Sequence, residues 1–109
     1  MKHNTSPTGE YAPLSRIAKA LAHPTRLFLV DQLAGGEMCV CELKELIDAD
    51  LSTVSRHLLT LKQAGIITDR RQGTQVFYRI RSARAMKALA MLAAIAREEA
   101  EERLSLIRR

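Results

Sequence analysis

The apolar residues of this chain keep one spacing as far as Gly65, a second from Ile66 to Ile80, and return to the first from Ser82 onward. That double change of period constrains the fold more than any other feature. Apolar residues three and four apart line one face of an α-helix, whereas alternation marks a strand. Leu14, Ile17, Ala18 and Leu21 open the helical pattern. His23-Pro24 ends that helix and starts the next, since proline in a first turn loses no hydrogen bond. Leu27, Leu29, Val30 and Leu33 carry the second helix to Gly35-Gly36. Val40, Leu43, Leu46 and Ile47 give a third helix from about residue 39 to 48, so that Cys39 and Cys41 both fall within it. Asp50 stands as N-cap of a fourth, with Val54, Leu58, Leu59 and Leu61 inward and Gly65 as its stop.

The segments 66–70 and 75–80 read as two strands joined by a tight turn at Gln72-Gly73-Thr74. Such a hairpin is not stable alone and must lean on the helices. From Ser82, read as its cap, to Arg109 the pattern is one Ala-rich helix with Met86, Leu89, Leu92, Ala93, Ala96, Leu104 and Ile107 on its apolar face. Small residues permit close helix approach, so Leu89, Leu92, Ala93 and Ala96 are expected to pair with Leu14 and Ile17 of the first helix in a homodimer interface. The expected fold is mainly α with a β-hairpin, a dimeric winged helix-turn-helix of about five helices and a two-stranded wing. Residues 1–10 are read as a flexible arm, and 11–109 as the DNA-binding and dimerisation domain.

Charge points the same way. The net charge is +5, and it is unevenly spread. Residues 31–50 hold six acids against Lys44, whereas residues 51–84 hold seven bases against Asp69. A basic stretch centred on a helix-turn-helix suits double-stranded DNA. No apolar run reaches the roughly 20 residues that cross a bilayer, and the first residues lack a signal-peptide core, so a cytoplasmic protein is expected. In that compartment Cys39 and Cys41 would be thiols. An enzyme is not expected: His23 and His57 form neither a triad nor a metal-ligand spacing.

Three stretches, Ala20-Leu21-Ala22-His23-Pro24-Thr25-Arg26, Glu37-Met38-Cys39-Val40-Cys41-Glu42-Leu43 and Ser55-Arg56-His57-Leu58 with Leu61, Gly65 and Arg70-Arg71-Gln72-Gly73, resemble the ArsR/SmtB family of metal-responsive repressors. The resemblance runs from about residue 14 to 80. It implies dimerisation through the first and last helices, with the fourth helix in the major groove of operator DNA. Carried over residue by residue, it places Ser52, Thr53, Ser55, Arg56 and His57 on the recognition helix and Arg70, Arg71, Gln72 and Gln75 on a DNA-contacting wing. A packing role for His57 is the alternative.

Cys39-Val40-Cys41 matches that family's Cys-Val-Cys signature and is read as the inducer site. Thiolates are soft ligands for As(III), antimonite, cadmium, lead or zinc. A third cysteine three residues after the second, found in the best-known arsenite pattern, is replaced by Lys44. With no further cysteine in the arm and no histidine in the last helix, arsenite is preferred to cadmium, lead and zinc. In a regular helix residues two apart point about 200° from each other, so capture of one ion by both sulfurs is expected to unwind the first turn. A thiol redox switch on the same scaffold is the alternative reading.

Overall fold

The structure, a computed structural model, describes residues 7–108. The proposed arm at 1–10 therefore lies mostly outside the described residues, and its last part joins a 3-10 helix at Pro7–Tyr11. Five α-helices follow: α1 (Ala12–Leu21), α2 (Pro24–Leu33), α3 (Val40–Glu45), α4 (Leu51–Gln63) and α5 (Ala83–Ile107). Strands β1 (Met38–Cys39), β2 (Ile67–Gln72) and β3 (Gln75–Ile80) form an antiparallel sheet in the order β1-β3-β2. The winged helix-turn-helix expected from the period change is present.

Each boundary has a chemical cause. The His23 ring accepts from the Thr25 N–H at 3.1 Å and caps α2, with Pro24 in the first turn. Asp50 accepts from the Thr53 N–H at 2.8 Å and opens α4. At the other end Gly65 takes φ 79°, and its N–H bonds the Lys62 carbonyl while the Ile66 N–H bonds that of Leu61. This pair of bonds closes the helix and needs a left-handed residue at Gly65. The wing turns through Gly73 at φ 63°, between the paired residues Gln72 and Gln75.

The core is aliphatic and centres on α4. Leu29, Val30, Leu43, Val54, Leu58 and Leu61 are fully buried. Leu59, expected inward, is 49% exposed: one residue round from Leu58, it has left the buried stripe. α5 has no fully buried residue. Only its first half, through Ala85 and Leu89, packs on the core. The radius of gyration, 17.2 Å, exceeds the roughly 13 Å of a compact domain of about 100 residues, because α5 is a 25-residue rod.

Two expectations are corrected here. The sheet has a third strand, β1, whose Met38 pairs with Tyr78 and whose Cys39 pairs with Phe77. The third helix begins at Val40 and ends at Glu45, shorter than the 39–48 expected, and Cys39 sits before it in extended conformation (φ −81°, ψ 159°). The strand claims Cys39, and a bend after Glu45 makes room for the Asp50 cap.

The register of α4 gives a direct check on this core. Leu58→Ala should destabilise the fold by about 2–5 kcal/mol in urea unfolding, while Leu59→Ala next to it should cost well under half of that. Equal losses at the two positions would show that the helix is rotated from the face described.

Candidate DNA interface and dithiol site

The outer face of α4 carries Ser52, Ser55 and Arg56, all exposed, with Thr53 half-buried. The Ser52 hydroxyl donates to Asp50 at 3.0 Å, so it belongs to the cap. Hydrogen bonds from Thr53 and Ser52, and then the charge of Arg56, hold the Asp50 carboxyl below its usual pKa. Arg56 makes no side-chain hydrogen bond among the described residues, and its guanidinium is available to a phosphate or a base edge.

His57 points the other way. Its ring lies 4.4 Å from that of His23, and Arg26 places Nη1 3.1 Å from its Nδ1. Arg26 also donates to the carbonyls of Ala20 (2.6 Å) and Lys19 (3.3 Å), so it joins α1, α2 and α4. The geometry is that of the packing role for His57. Burial first, and then the positive charge of His23, Arg26 and Arg56, holds its pKa below the ordinary 6.5.

On the wing, Arg71, Gln72 and Gln75 are exposed. Arg70 is engaged: it donates to both Glu37 oxygens (2.9 Å from Nε, 2.6 Å from Nη2) and to Gln72 Oε1 at 2.7 Å, and it stacks 4.7 Å over the Phe77 ring. The bond from Arg70 lowers the Glu37 pKa. Arg70 thus ties the wing to the segment before β1, where the sequence suggested a DNA contact. Lys62 likewise pairs with Asp69 at 3.0 Å, between α4 and β2.

Cys39 and Cys41 are joined as a disulfide with Cα atoms 5.4 Å apart, where free thiols were expected. Because Cys39 is the N-cap and not the first helical residue, its sulfur swings back toward Cys41 and no turn need unwind for the two to meet. Cys39 is buried, 4% exposed, and Cys41 is exposed. Cys39 Sγ accepts from the Glu42 N–H at 3.4 Å while its own N–H donates to Glu42 Oε1 at 2.9 Å, a reciprocal capping box. Cys-x-x-Glu was the signal for Glu42, hidden because Ser or Thr is the usual first member. Among the described residues no group of three His, Cys, Asp or Glu is placed to hold a metal ion.

The terminal helices leave an apolar cleft of about 620 Å³, lined by Leu14, Ile17, Leu21, Met91 and Leu92 among others. Of the residues expected at an interface, Leu14, Ile17, Leu92, Ala93 and Ala96 are exposed, while Leu89 turns into its own core. No described helix is long and apolar enough to cross a membrane.

Residues 23–69 match the bacterial regulatory proteins of the arsR family. A biofilm growth-associated repressor of Agrobacterium fabrum is 42% identical over 79 residues, 72% of this chain and 68% of that protein. The chain belongs to the arsR family. An arsenic resistance transcriptional regulator of Pseudomonas putida is 43% identical over 65 residues, 59% of this chain and 51% of that regulator. The solution structure of a homodimeric winged helix-turn-helix DNA-binding domain from Mycobacterium bovis superposes with a TM-score of 0.77 at 31% identity, covering 90% of this chain and 92% of that one. This arsR-family chain is therefore a transcriptional regulator of winged helix-turn-helix architecture.

The His57 environment predicts an acid-sensitive fold. A histidine whose pKa is lower folded than unfolded takes up its proton more readily once the chain opens. Its contribution is complete above the ordinary value of 6.5 and is lost as the pH falls below it. His57→Gln, which keeps an acceptor but does not titrate, should flatten the dependence of unfolding free energy between about pH 7 and pH 5. An unchanged slope would assign the acid sensitivity to another group.

Proposed function

We propose that this protein is a homodimeric repressor that binds operator DNA through α4 and the wing and releases it when Cys39 and Cys41 capture a soft metalloid, arsenite before others. The observation that carries the reading is the pair of cysteine sulfurs meeting at the N-terminus of α3, the helix that precedes the recognition helix. Relatives named for arsenic and arsenical resistance support the class of inducer. Once reduced, the two thiolates present two soft donors to one centre. With Lys44 in place of a third cysteine, a water or a small-molecule thiol would complete the shell.

Ser52, Thr53, Ser55 and Arg56 would face the major groove, and Arg71, Gln72 and Gln75 the backbone or minor groove. His57 and Arg70 would hold these surfaces in place. The redox alternative rests on the disulfide itself: two thiols would pass two electrons and two protons to a peroxide-class oxidant, and the bond formed would replace the ligand as the signal. Both readings act at the same cap, since the Cys39 sulfur that meets Cys41 is also the acceptor of the Glu42 N–H.

Cys39→Ser keeps an N-cap acceptor, so fold and DNA binding should stay near the parent level. Cys39→Ser and Cys41→Ser should each lose release of promoter DNA by arsenite in an anisotropy assay. X-ray absorption on the arsenite-loaded, reduced parent should find two protein sulfurs, and a third only with added thiol. Full release of Cys39→Ser by arsenite would remove the metalloid reading, and release by peroxide but not arsenite would establish the redox one.

The α1 and α5 cleft carries the dimer. Leu92→Asp would bury an unpaired charge there and should give monomers by sedimentation, with weak operator binding. An unchanged dimer would place the interface elsewhere.

A further inference from the structure

α1 has two faces. Leu14, Ile17 and Leu21 look toward α5, whereas Arg16, Lys19 and Ala20 border a separate cleft of about 330 Å³ with Arg26 of α2 and Thr60 and Gln63 of α4. Three cations surround it, and no acidic side chain lines it among the described residues. The side chains of Arg16 and Lys19 make no hydrogen bond or ion pair among those residues. The partners of Arg26 are two backbone carbonyls and a histidine ring, all without negative charge. Like charges held together without a carboxylate repel one another, and an anion in the cleft would relieve that repulsion.

The position of the cleft says which anion. Thr60 and Gln63 lie four and seven residues beyond Arg56, on the same stripe of α4, and the Thr60 hydroxyl donates to the Arg56 carbonyl at 3.1 Å. Seven residues of helix advance about 10 Å, close to the width of a major groove of about 12 Å. With Arg56 among the base edges, the end of α4 that carries Gln63 reaches the phosphate ridge bordering the groove.

We infer that this cleft is a phosphate-binding site for the DNA backbone beside the groove that α4 enters, with Arg16 and Lys19 as its free cations and Gln63 as a neutral donor. It extends the DNA contact beyond recognition helix and wing, and it rests on the DNA-binding reading above. The chemistry it recognises is a phosphoryl oxygen. The duplex is the source that its alignment with Arg56 favours, and free phosphate is the other.

The test is the salt dependence of operator and random-duplex binding for the parent and for Arg16→Ala/Lys19→Ala. Both side chains are exposed, so the fold should survive, and sedimentation checks that the dimer does too. Each phosphate contact contributes about 0.9 to the slope of log affinity against log salt, so the double variant, which empties one such site, should lose about 0.9 per subunit. It should weaken both duplexes by the same factor, because phosphate contacts carry no sequence information. Arg16→Lys/Lys19→Arg should restore the slope.

A double variant with the parent's slope overturns the inference. If, in addition, inorganic phosphate or ATP binds the parent but not the variant by calorimetry, the cleft is a site for free phosphate and the duplex assignment is overturned. A parent that binds no duplex at all removes the DNA-binding reading itself, a failure distinct from parent-like behaviour of the variant.

Discussion

Cys39 sits where three elements meet. Its backbone pairs with Phe77 in the sheet, its N–H is held by Glu42, and its buried sulfur accepts from the first turn of α3. An N-cap of Ser, Thr, Asp or Asn contributes about 1 kcal/mol; here a sulfur takes that place, on the residue that also ends β1. Two residues before Cys39, Glu37 holds Arg70 of the wing by both its oxygens. The six residues from Glu37 to Glu42 therefore contain the cap of α3, the edge strand of the sheet and the anchor of the wing. On the proposed reading, a change at the sulfurs would reach the wing through Glu37 and α4 through α3, and no long chain of contacts would be required.

The recognition helix is fixed independently on its other side. Residues 56 and 57 point about 100° apart on a helix, so a ring locked inward at 57 leaves the guanidinium at 56 outward. The lock is the Arg26, His57 and His23 cluster, in which one guanidinium joins three helices through neutral acceptors. A carboxylate there would have neutralised Arg26 beside the surface proposed to meet phosphate. The cation is kept and its field is left to a partner. Stability and charge are satisfied by different groups: aliphatic burial at Val54, Leu58 and Leu61 holds α4, Lys62 pairs with Asp69 of the wing, and Arg56 makes no side-chain hydrogen bond among the described residues.

α4 was legible in the sequence because independent signals agreed on it: an Asp cap, a Gly stop and an apolar stripe between them. The wing was legible from alternation alone. β1 was not, since two residues carry no period and its partner strand lies far along the chain. That omission misplaced the start of α3, and with it the geometry of the cysteines: a helical Cys39 points away from Cys41, whereas an extended N-cap points toward it. The ion pair of Arg70 was hidden for a related reason. A count of bases does not reveal that Glu37, 33 residues earlier, folds against one of them. His57 was ambiguous because the residue that decides its role, Arg26, belongs to another helix.

The charge pattern of α5 constrains how a dimer meets DNA. Its first half offers Met91 and Leu92 to the cleft against α1, but residues 97–103 hold Glu98, Glu99, Glu101 and Glu102 against Arg97 and Arg103. Arg103 is paired with Glu99. The excess within residues 97–103 is negative, although Arg108 and Arg109 follow it in the sequence, and a phosphate backbone beside that stretch is repelled over roughly a Debye length of 8–10 Å. On the proposed reading, a duplex lying along residues 97–103 of α5 would meet this repulsion, while one lying across α4 would meet the cations of Arg56, Arg71, Arg16 and Lys19. The same helix that would present apolar surface to a second copy would thereby bias which side of the proposed pair faces the operator, before any base is read.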